Sequence, residues 1–251
     1  MADINSSAEQ TTEFLPMWNT AEKIVTGYIC TPKNDEPVSF RNDMNAMISA
    51  LTALERSNSS PSPPLIATPV HLASLKSGGN LAQFERLGGQ FNAKIHERLV
   101  VEIVLGEGST SVSEVRDVVD IVRQTCRTVL LRAPIDYTRI GELSGIKAYA
   151  VGTRLDRERY PDYFGLLERF VEQTENAGLL SYALGLDTLP ALTAAICAGF
   201  GHVDGPAIPQ IGAHEATYPL SVPDLYANTD RHATSSLPVA HQRQVVAVDM
   251  R

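Results

Sequence analysis

The chain has 251 residues, of which 43% are hydrophobic, and it carries a formal net charge of −8 at pH 7. This length suits one large domain or two small ones, and the apolar fraction is enough for a sizeable core. The acidic balance excludes a chain-wide basic surface for nucleic acid or anionic membranes. No apolar run approaches the roughly 20 residues that a membrane helix needs. The N-terminal segment shows no signal-peptide pattern and the three cysteines form no CxxC pair, so we expect reduced thiols in a cytoplasmic protein.

Composition predicts a folded region between two unstructured ends. Residues 1–12 are short and polar, and residues 213–251 are rich in Pro, Ser, Thr, Ala and His without a sustained apolar period. Both features are typical of disorder. We therefore expect one folded domain over residues 13–212, followed by a mobile tail.

The first predicted elements are a hairpin and an amphipathic helix. Phe14–Trp18 and Lys23–Cys30 are apolar stretches separated by the short segment Asn19–Glu22, which is the pattern of two antiparallel strands. Asp43 stands where a helix N-cap is expected. The apolar residues after it recur at the i, i+3, i+4, i+7 spacing of a buried helical face.

The rest of the folded region alternates short apolar strands with helices. Leu99–Leu105 is almost continuously apolar, as in a strand covered on both faces, and Ser111 with Glu114 forms the capping box of the next helix. Strand after helix predicts parallel strands and right-handed crossovers, and about eight strands predict a closed (β/α)8-type barrel. A doubly wound open sheet is the alternative. The other expected strands are Leu65–Val70, Val129–Leu131, Ala148–Val151, Leu179–Leu184 and His202–Asp204, and the other helices are Leu81–Leu87, Pro161–Ala177 and Thr188–Ala198.

The segment Gly178–Thr188 carries the most informative motif. It reads GLLSYALGLDT and resembles the GLxVxAEGVET strand and turn of EAL domains, the bacterial phosphodiesterases that cleave cyclic di-GMP. Leu184 stands in place of the first glutamate and Asp187 in place of the second. Weaker matches follow the family's order from about Leu15 to Gln210. The resemblance implies the family's barrel, with the strand of the name-giving motif, here Lys23–Cys30, antiparallel to the others.

The same matches imply that the family's metal site has been lost. In the family, carboxylates at strand ends hold two divalent ions that activate water, and hard cations need oxygen ligands. Glu102 and Asp187 remain as relics, whereas Arg132 would place a positive charge where the ions bind. The altered positions are Ile29 for the name-giving glutamate, Thr68 for an asparagine, Leu105 for a glutamate, Leu131 and Arg132 for two aspartates, Leu184 for a glutamate, and Asp204 for a glutamine.

These substitutions predict a catalytically inactive, EAL-like protein without a metal or other cofactor. By analogy with inactive relatives, it is expected to act as a regulator or scaffold in bacterial signalling through contact with another protein. The candidate contact residues lie on two loops at the old active-site mouth: Tyr137, Arg154, Arg157, Tyr160 and Tyr163. The alternative for the tyrosines is ordinary packing against the barrel. The alternative for Glu102, taken above as a relic metal ligand, is a simple pairing with Arg132 or a backbone N–H.

Two other functions stay open at this point. The first alternative is a receptor that binds cyclic di-GMP without cutting it. The second is an enzyme with an altered site built from Glu102, Asp136 and Asp187. The receptor needs cationic contacts to two phosphates, and the family's arginine after the EAL motif corresponds at best to Lys33.

Overall fold

The structure, a computed structural model, describes residues 12–32, 38–106, 111–210 and 216–227. Within these ranges the strands form one closed barrel, because β1 pairs with β8 as well as with β2. The closure confirms the predicted barrel and rules out the open sheet. The strands are β1 Thr12–Asn19, β2 Ile24–Pro32, β3 Leu65–His71, β4 Leu99–Val104, β5 Thr128–Arg132, β6 Ala150–Arg154, β7 Leu180–Leu184, β8 His202–Asp204 and the short β9 Tyr218–Pro219.

One strand of the barrel runs against the others, and it is not the one predicted. β2 pairs in parallel with β3, and β1 is antiparallel to both of its neighbours. The expectation that Lys23–Cys30 is the antiparallel strand is therefore wrong. The reason is the crossover: the chain leaves β2 through a helix and returns to β3, which makes those two strands parallel. The reversed strand of the hairpin must then be β1.

Helices cover the outside of the barrel and bury an apolar face against it. In the helix that follows β4, Val115, Val118, Val119 and Val122 are all buried. No helix of the described ranges is long and apolar enough to cross a membrane. The helices are α1 Phe40–Arg56, α2 Leu72–Leu75, α3 Asn80–Gly88, α4 Ala93–His96, α5 Val112–Val122, α6 Phe164–Asn176 and α7 Leu189–Ala198, with 3₁₀ turns at Ser57–Ser59 and Ile140–Leu143.

The interior of the barrel has its own apolar core, separate from the larger core between strands and helices. Side chains alternate along each strand, so every second residue faces this lumen. A Cβ on Gly152 would lie 2.3 Å from the ring of Tyr182; glycine at 152 is thus what lets Tyr182 fill the lumen. The buried members of this core are Leu15, Ile29, Ala67, Val100, Leu130, Ala150, Tyr182 and Leu184.

Part of the predicted tail packs against the barrel. Residues 216–227 include β9, which pairs antiparallel with β2, and the indole Nε1 of Trp18 donates to the carbonyl of Leu220 at 2.9 Å. Leu220 and Leu225 are buried. The prediction of disorder is therefore wrong for residues 216–227, since two isolated apolar residues anchor a segment without forming a periodic pattern. Residues 213–215 and 228–251, like residues 1–11, lie outside the described part of the chain.

Candidate functional site

The carboxyl ends of the barrel strands open into a polar cavity, called here the mouth cavity. The space that protein atoms leave there is about 790 Å³, part of it open to solvent. In parallel barrels this end is where functional groups gather. Its polar lining includes Asp43, His71, Glu102, Arg132 and Arg154.

A fully buried carboxylate lies at the floor of the mouth cavity. Glu102, on β4, accepts a hydrogen bond on Oε1 from the Tyr182 hydroxyl at 2.8 Å, and its Oε2 lies 3.5 Å from Nε of Arg132. A buried charge needs such compensation. Burial, reinforced by the negative charge of Glu102, raises the pKa of Tyr182 well above its usual value, so Tyr182 remains a donor. The contact with Arg132 agrees with the alternative that Glu102 simply pairs with that residue. No sequence pattern indicated the role of Tyr182.

Asp204, at the end of β8, is a second fully buried carboxyl group. Its Oδ1 accepts the backbone N–H of Gly185 at 3.0 Å. Burial raises the pKa of Asp204 to about 7, opposed by that hydrogen bond and by the charge of Arg154. This group therefore titrates near neutral pH, a property that its match to a glutamine of the family did not indicate.

An aspartate–histidine pair at the rim was missed by the sequence analysis. Asp43 is not the cap of α1: Ser39 caps it, accepting the N–H of Asn42 at 3.2 Å. Asp43 is instead buried, with Oδ1 at 2.8 Å from Nδ1 of His71 and Oδ2 accepting the His71 backbone N–H at 3.0 Å. The Ser74 hydroxyl also donates to Asp43. His71 ends β3 and is 28% exposed, and that position at a strand end was the available signal.

Arginines give the mouth its positive charge. Arg132 and Arg154 end neighbouring strands, and together with Arg159 they line an adjoining recess of the mouth. The guanidinium of Arg159 lies 5.1 Å from the ring centre of Tyr160. Planar guanidinium groups bind carboxylates and phosphates through paired N–H donors, so this part of the mouth is suited to an anion.

The carboxylates expected from the resemblance do not assemble into a metal site. Asp187 is on the surface, where its Oδ2 accepts from Arg157 at 2.6 Å, and that pair raises the pKa of the Arg157 guanidinium. Asp136 is exposed, whereas Glu102 is buried beneath Arg132. Among the residues that the structure describes, no group of three His, Cys, Asp or Glu side chains is placed to hold a metal ion. Within the described ranges, the donor set therefore does not fit two divalent ions.

The predicted lost positions divide between the two faces of the strands. Ile29 and Leu184 are buried in the lumen, and Arg132 lies at the mouth. Leu131 belongs to the outer core, and Thr68, next to the lumen residue Ala67, also faces outward. Thr68 and Leu131 therefore do not face the lumen, because neighbouring side chains of a strand lie on opposite faces. Lys33 lies outside the described residues.

The candidate contact residues differ in accessibility. Tyr163 is buried and its ring stacks on that of Phe164 at 4.8 Å, while Tyr137 and Tyr160 are partly buried against the core. Packing is therefore the better interpretation of the three tyrosines. Arg154 and Arg157 are exposed. Phe164, the first residue of α6, is also exposed, at 55%.

Comparison with known proteins identifies solved structures with a similar fold. Neither a family model nor a curated protein sequence matches this chain. Among solved structures, the Bacillus subtilis YkuI protein, with an EAL domain and in complex with substrate c-di-GMP and calcium, is 14% identical with a TM-score of 0.63; the match covers 93% of this chain and 64% of YkuI. This chain therefore spans less than two thirds of the length of YkuI.

Two shorter proteins match along almost their whole length. The EAL domain of Mycobacterium smegmatis DcpA is 12% identical with a TM-score of 0.62, over 91% of this chain and 99% of that domain. A c-di-GMP-bound standalone EAL protein of Vibrio cholerae O395 is 12% identical with a TM-score of 0.56, over 86% and 97%. The chain thus has the EAL-like fold that the resemblance implied.

Proposed function

We propose that this chain is a catalytically inactive EAL-fold protein that regulates bacterial signalling by binding another protein. The observation that carries the proposal is the closed arrangement of Glu102 beneath Arg132. One oxygen of this carboxylate is used by Tyr182 and the other faces a guanidinium group. A divalent cation in that place would meet the positive charge of Arg132.

The neighbouring positions support the same conclusion. Ile29 and Leu184 offer no oxygen to a metal and fill the lumen beside Glu102. Asp187, the other relic carboxylate, is held at the surface by Arg157. Two-metal hydrolysis needs several carboxylates that share two ions, and here one is buried and paired while the other is engaged elsewhere.

The surface proposed for the protein partner lies on the loops around the mouth. Arg157 and Phe164 are exposed there, and arginine and aromatic side chains are the usual anchors of protein interfaces. The tyrosines of these loops pack against the barrel and hold the loops in place. The proposal thus keeps Arg157 as an anchor and puts Phe164 in the place of Tyr160 and Tyr163. A cytoplasmic location remains part of the proposal.

A second candidate function is a non-hydrolysing cyclic di-GMP receptor. The specific observation in its favour is that Arg132, Arg154 and Arg159 line the mouth, where they would meet phosphate groups. The structures of YkuI and the Vibrio cholerae protein contain c-di-GMP. Their sequence identities to this chain, 14% and 12%, support a shared fold only. An active phosphodiesterase with an altered site is the weakest of the three, because Glu102, Asp136 and Asp187 are not brought together.

Two experiments separate these functions. Calorimetric titration of the full chain with cyclic di-GMP, with and without Mg²⁺, gives no heat if the chain is a protein-binding regulator. Metal-independent heat that Arg154→Ala abolishes would establish the receptor instead. A pull-down from native cells compares wild type with Phe164→Ala and Arg157→Ala, using exposed Arg86→Ala on α3 as the matched control. If every partner is retained by both loop variants while they stay folded, the interface lies elsewhere.

A further inference from the structure

The amino end of the barrel holds a second cavity, called here the basal cavity. About 520 Å³ is left by protein atoms there, part of it open to solvent. Its walls are formed almost entirely by lumen side chains, among them Met17, Leu65, Ala67, Val100 and Ala150. The cavity lies at the opposite end of the lumen from the mouth. Tyr182 lines it, and the Tyr182 hydroxyl donates to Glu102, which lines the mouth cavity.

This space is unusual for the fold. Barrel interiors of this class are packed with layers of bulky side chains and are not pores. Here Ala67 and Ala150 occupy inward positions on β3 and β6, and neither reaches across the lumen. An apolar cavity lacks the contacts that its lining would otherwise make, so a molecule that supplies them is bound favourably.

The lining determines which ligands fit. His202 is the ionisable imidazole in the lining, and burial lowers its pKa, so it is neutral at neutral pH. The Tyr28 hydroxyl already donates to the carbonyl of Ala216 at 3.0 Å. Glu22 is the charged group that acts on His202 from outside the cavity. With no charge in the lining to meet it, a charged ligand would lose its hydration without compensation.

Aromatic groups form the roof and the entrance. The ring of Tyr182 closes the cavity toward the mouth, and Tyr149 lines it from the start of β6. Tyr149 is 53% exposed, and Leu180, paired with Ala150 on the next strand, is 47% exposed. Aromatic rings pair with one another in offset or edge-to-face arrangements, so a flat ring is the shape that these walls favour.

We propose that the basal cavity is a binding site for a small uncharged aromatic molecule, of one or two rings, that enters beside Tyr149 and Leu180. This inference is independent of the proposed function, since it uses the opposite end of the barrel. An occupant would touch the ring of Tyr182, whose hydroxyl holds Glu102 at the mouth.

The test uses the full chain and the uncharged two-ring dye prodan, whose emission shifts to shorter wavelength in apolar sites. We expect saturable binding by wild type, displacement by indole, and an affinity at least about tenfold weaker in Ala150→Leu, which fills the cavity. Ala82→Leu, the same change at an exposed position of α3, should bind within about twofold of wild type. Ala67→Leu repeats the filling from another strand if Ala150→Leu does not fold.

Two results would overturn the proposal. One is the absence of saturable dye binding by wild type, or equal binding by folded Ala150→Leu and Ala67→Leu variants. The other is displacement by decanol as effective as that by indole, which would mean that the site takes aliphatic chains and not aromatic rings.

Discussion

At the carboxyl end of the lumen, buried charges hold one another in place, whereas at the amino end the lumen is apolar and partly empty. Glu102, Arg132 and Tyr182 form a connected polar set at the mouth, while Ala67 and Ala150 leave space at the base. The same eight-stranded closure supports both ends. The comparison teaches that a mouth with buried, interdependent charges tolerates few changes, while a base with unfilled volume tolerates added atoms.

The largest effect is expected from breaking the buried pair at the mouth. Arg132→Met leaves Glu102 buried without its cation, and removal of one partner from a buried ion pair costs about 3–5 kcal/mol of unfolding free energy. Urea denaturation measures the loss. The double variant Glu102→Gln with Arg132→Met should recover a substantial part of it, because the unpaired charge is then gone. A single variant as stable as wild type would mean that water already compensates Glu102.

A smaller effect is expected from the hydroxyl that links the two ends. Tyr182→Phe keeps the ring that roofs the basal cavity but leaves Oε1 of Glu102 without its donor. Loss of the partner of a buried acceptor costs about 1–3 kcal/mol. Ala150→Leu, which fills the basal cavity, leaves the hydrogen bond from Tyr182 to Glu102 intact and serves as the control. If Tyr182→Phe unfolds at the same urea concentration as wild type, the link does not stabilise the mouth.

Asp204 should make the stability of the mouth depend on pH. Burial raises its pKa from 3.8 to about 7, so between those values the folded chain holds a proton that the unfolded chain has released. Stability from this group is therefore full at low pH and falls as pH rises toward 7. Asp204→Asn removes the titration. We expect the variant to gain about 1–3 kcal/mol relative to wild type between pH 4 and pH 8 in urea denaturation; a constant difference would contradict the assignment.

The smallest changes in stability are expected from substitutions in the basal cavity and on the surface. Ala150→Leu adds atoms to open space, so we expect a change within about 1 kcal/mol, compared with the 1–3 kcal/mol that overpacking costs in a filled core. Arg157→Met removes an exposed ion pair, and solvent screening should keep the shift in Tm within about 2 °C. Thermal melting measures both. A large loss in Ala150→Leu would show that the basal cavity is closed in solution.

Much of the barrel follows from apolar periodicity, and the exceptions have physical causes. Hydrophobic patterns located the barrel strands to within a few residues because both faces of those strands are buried. Strand direction within the hairpin depends on the crossover after β2, which no local pattern records. Residues 216–227 pack through single anchors such as Leu220, which leave no repeat in the sequence.

The candidate site was less predictable than the fold. Motif positions placed Glu102, Arg132 and Leu184 in the barrel interior or at its mouth, but Asp43 and His71 meet only because α1 crosses over the end of β3. Long-range side-chain pairs of this kind are set by tertiary packing. The resemblance drew attention to lost carboxylates. It marked Asp204 only as a replacement for a glutamine and gave no role to Tyr182, and the fold buries both.

The rate of cyclic di-GMP hydrolysis by the purified full chain, with Mg²⁺ or Mn²⁺, tests most directly the claim that the mouth is catalytically inactive. We expect no metal-dependent turnover above the background of the buffer, because Arg132 and Tyr182 occupy the carboxylate of Glu102. Arg132→Ala serves as a check that freeing this carboxylate alone does not create activity. Metal-dependent turnover by wild type that is lost in a folded Glu102→Ala variant would contradict the account.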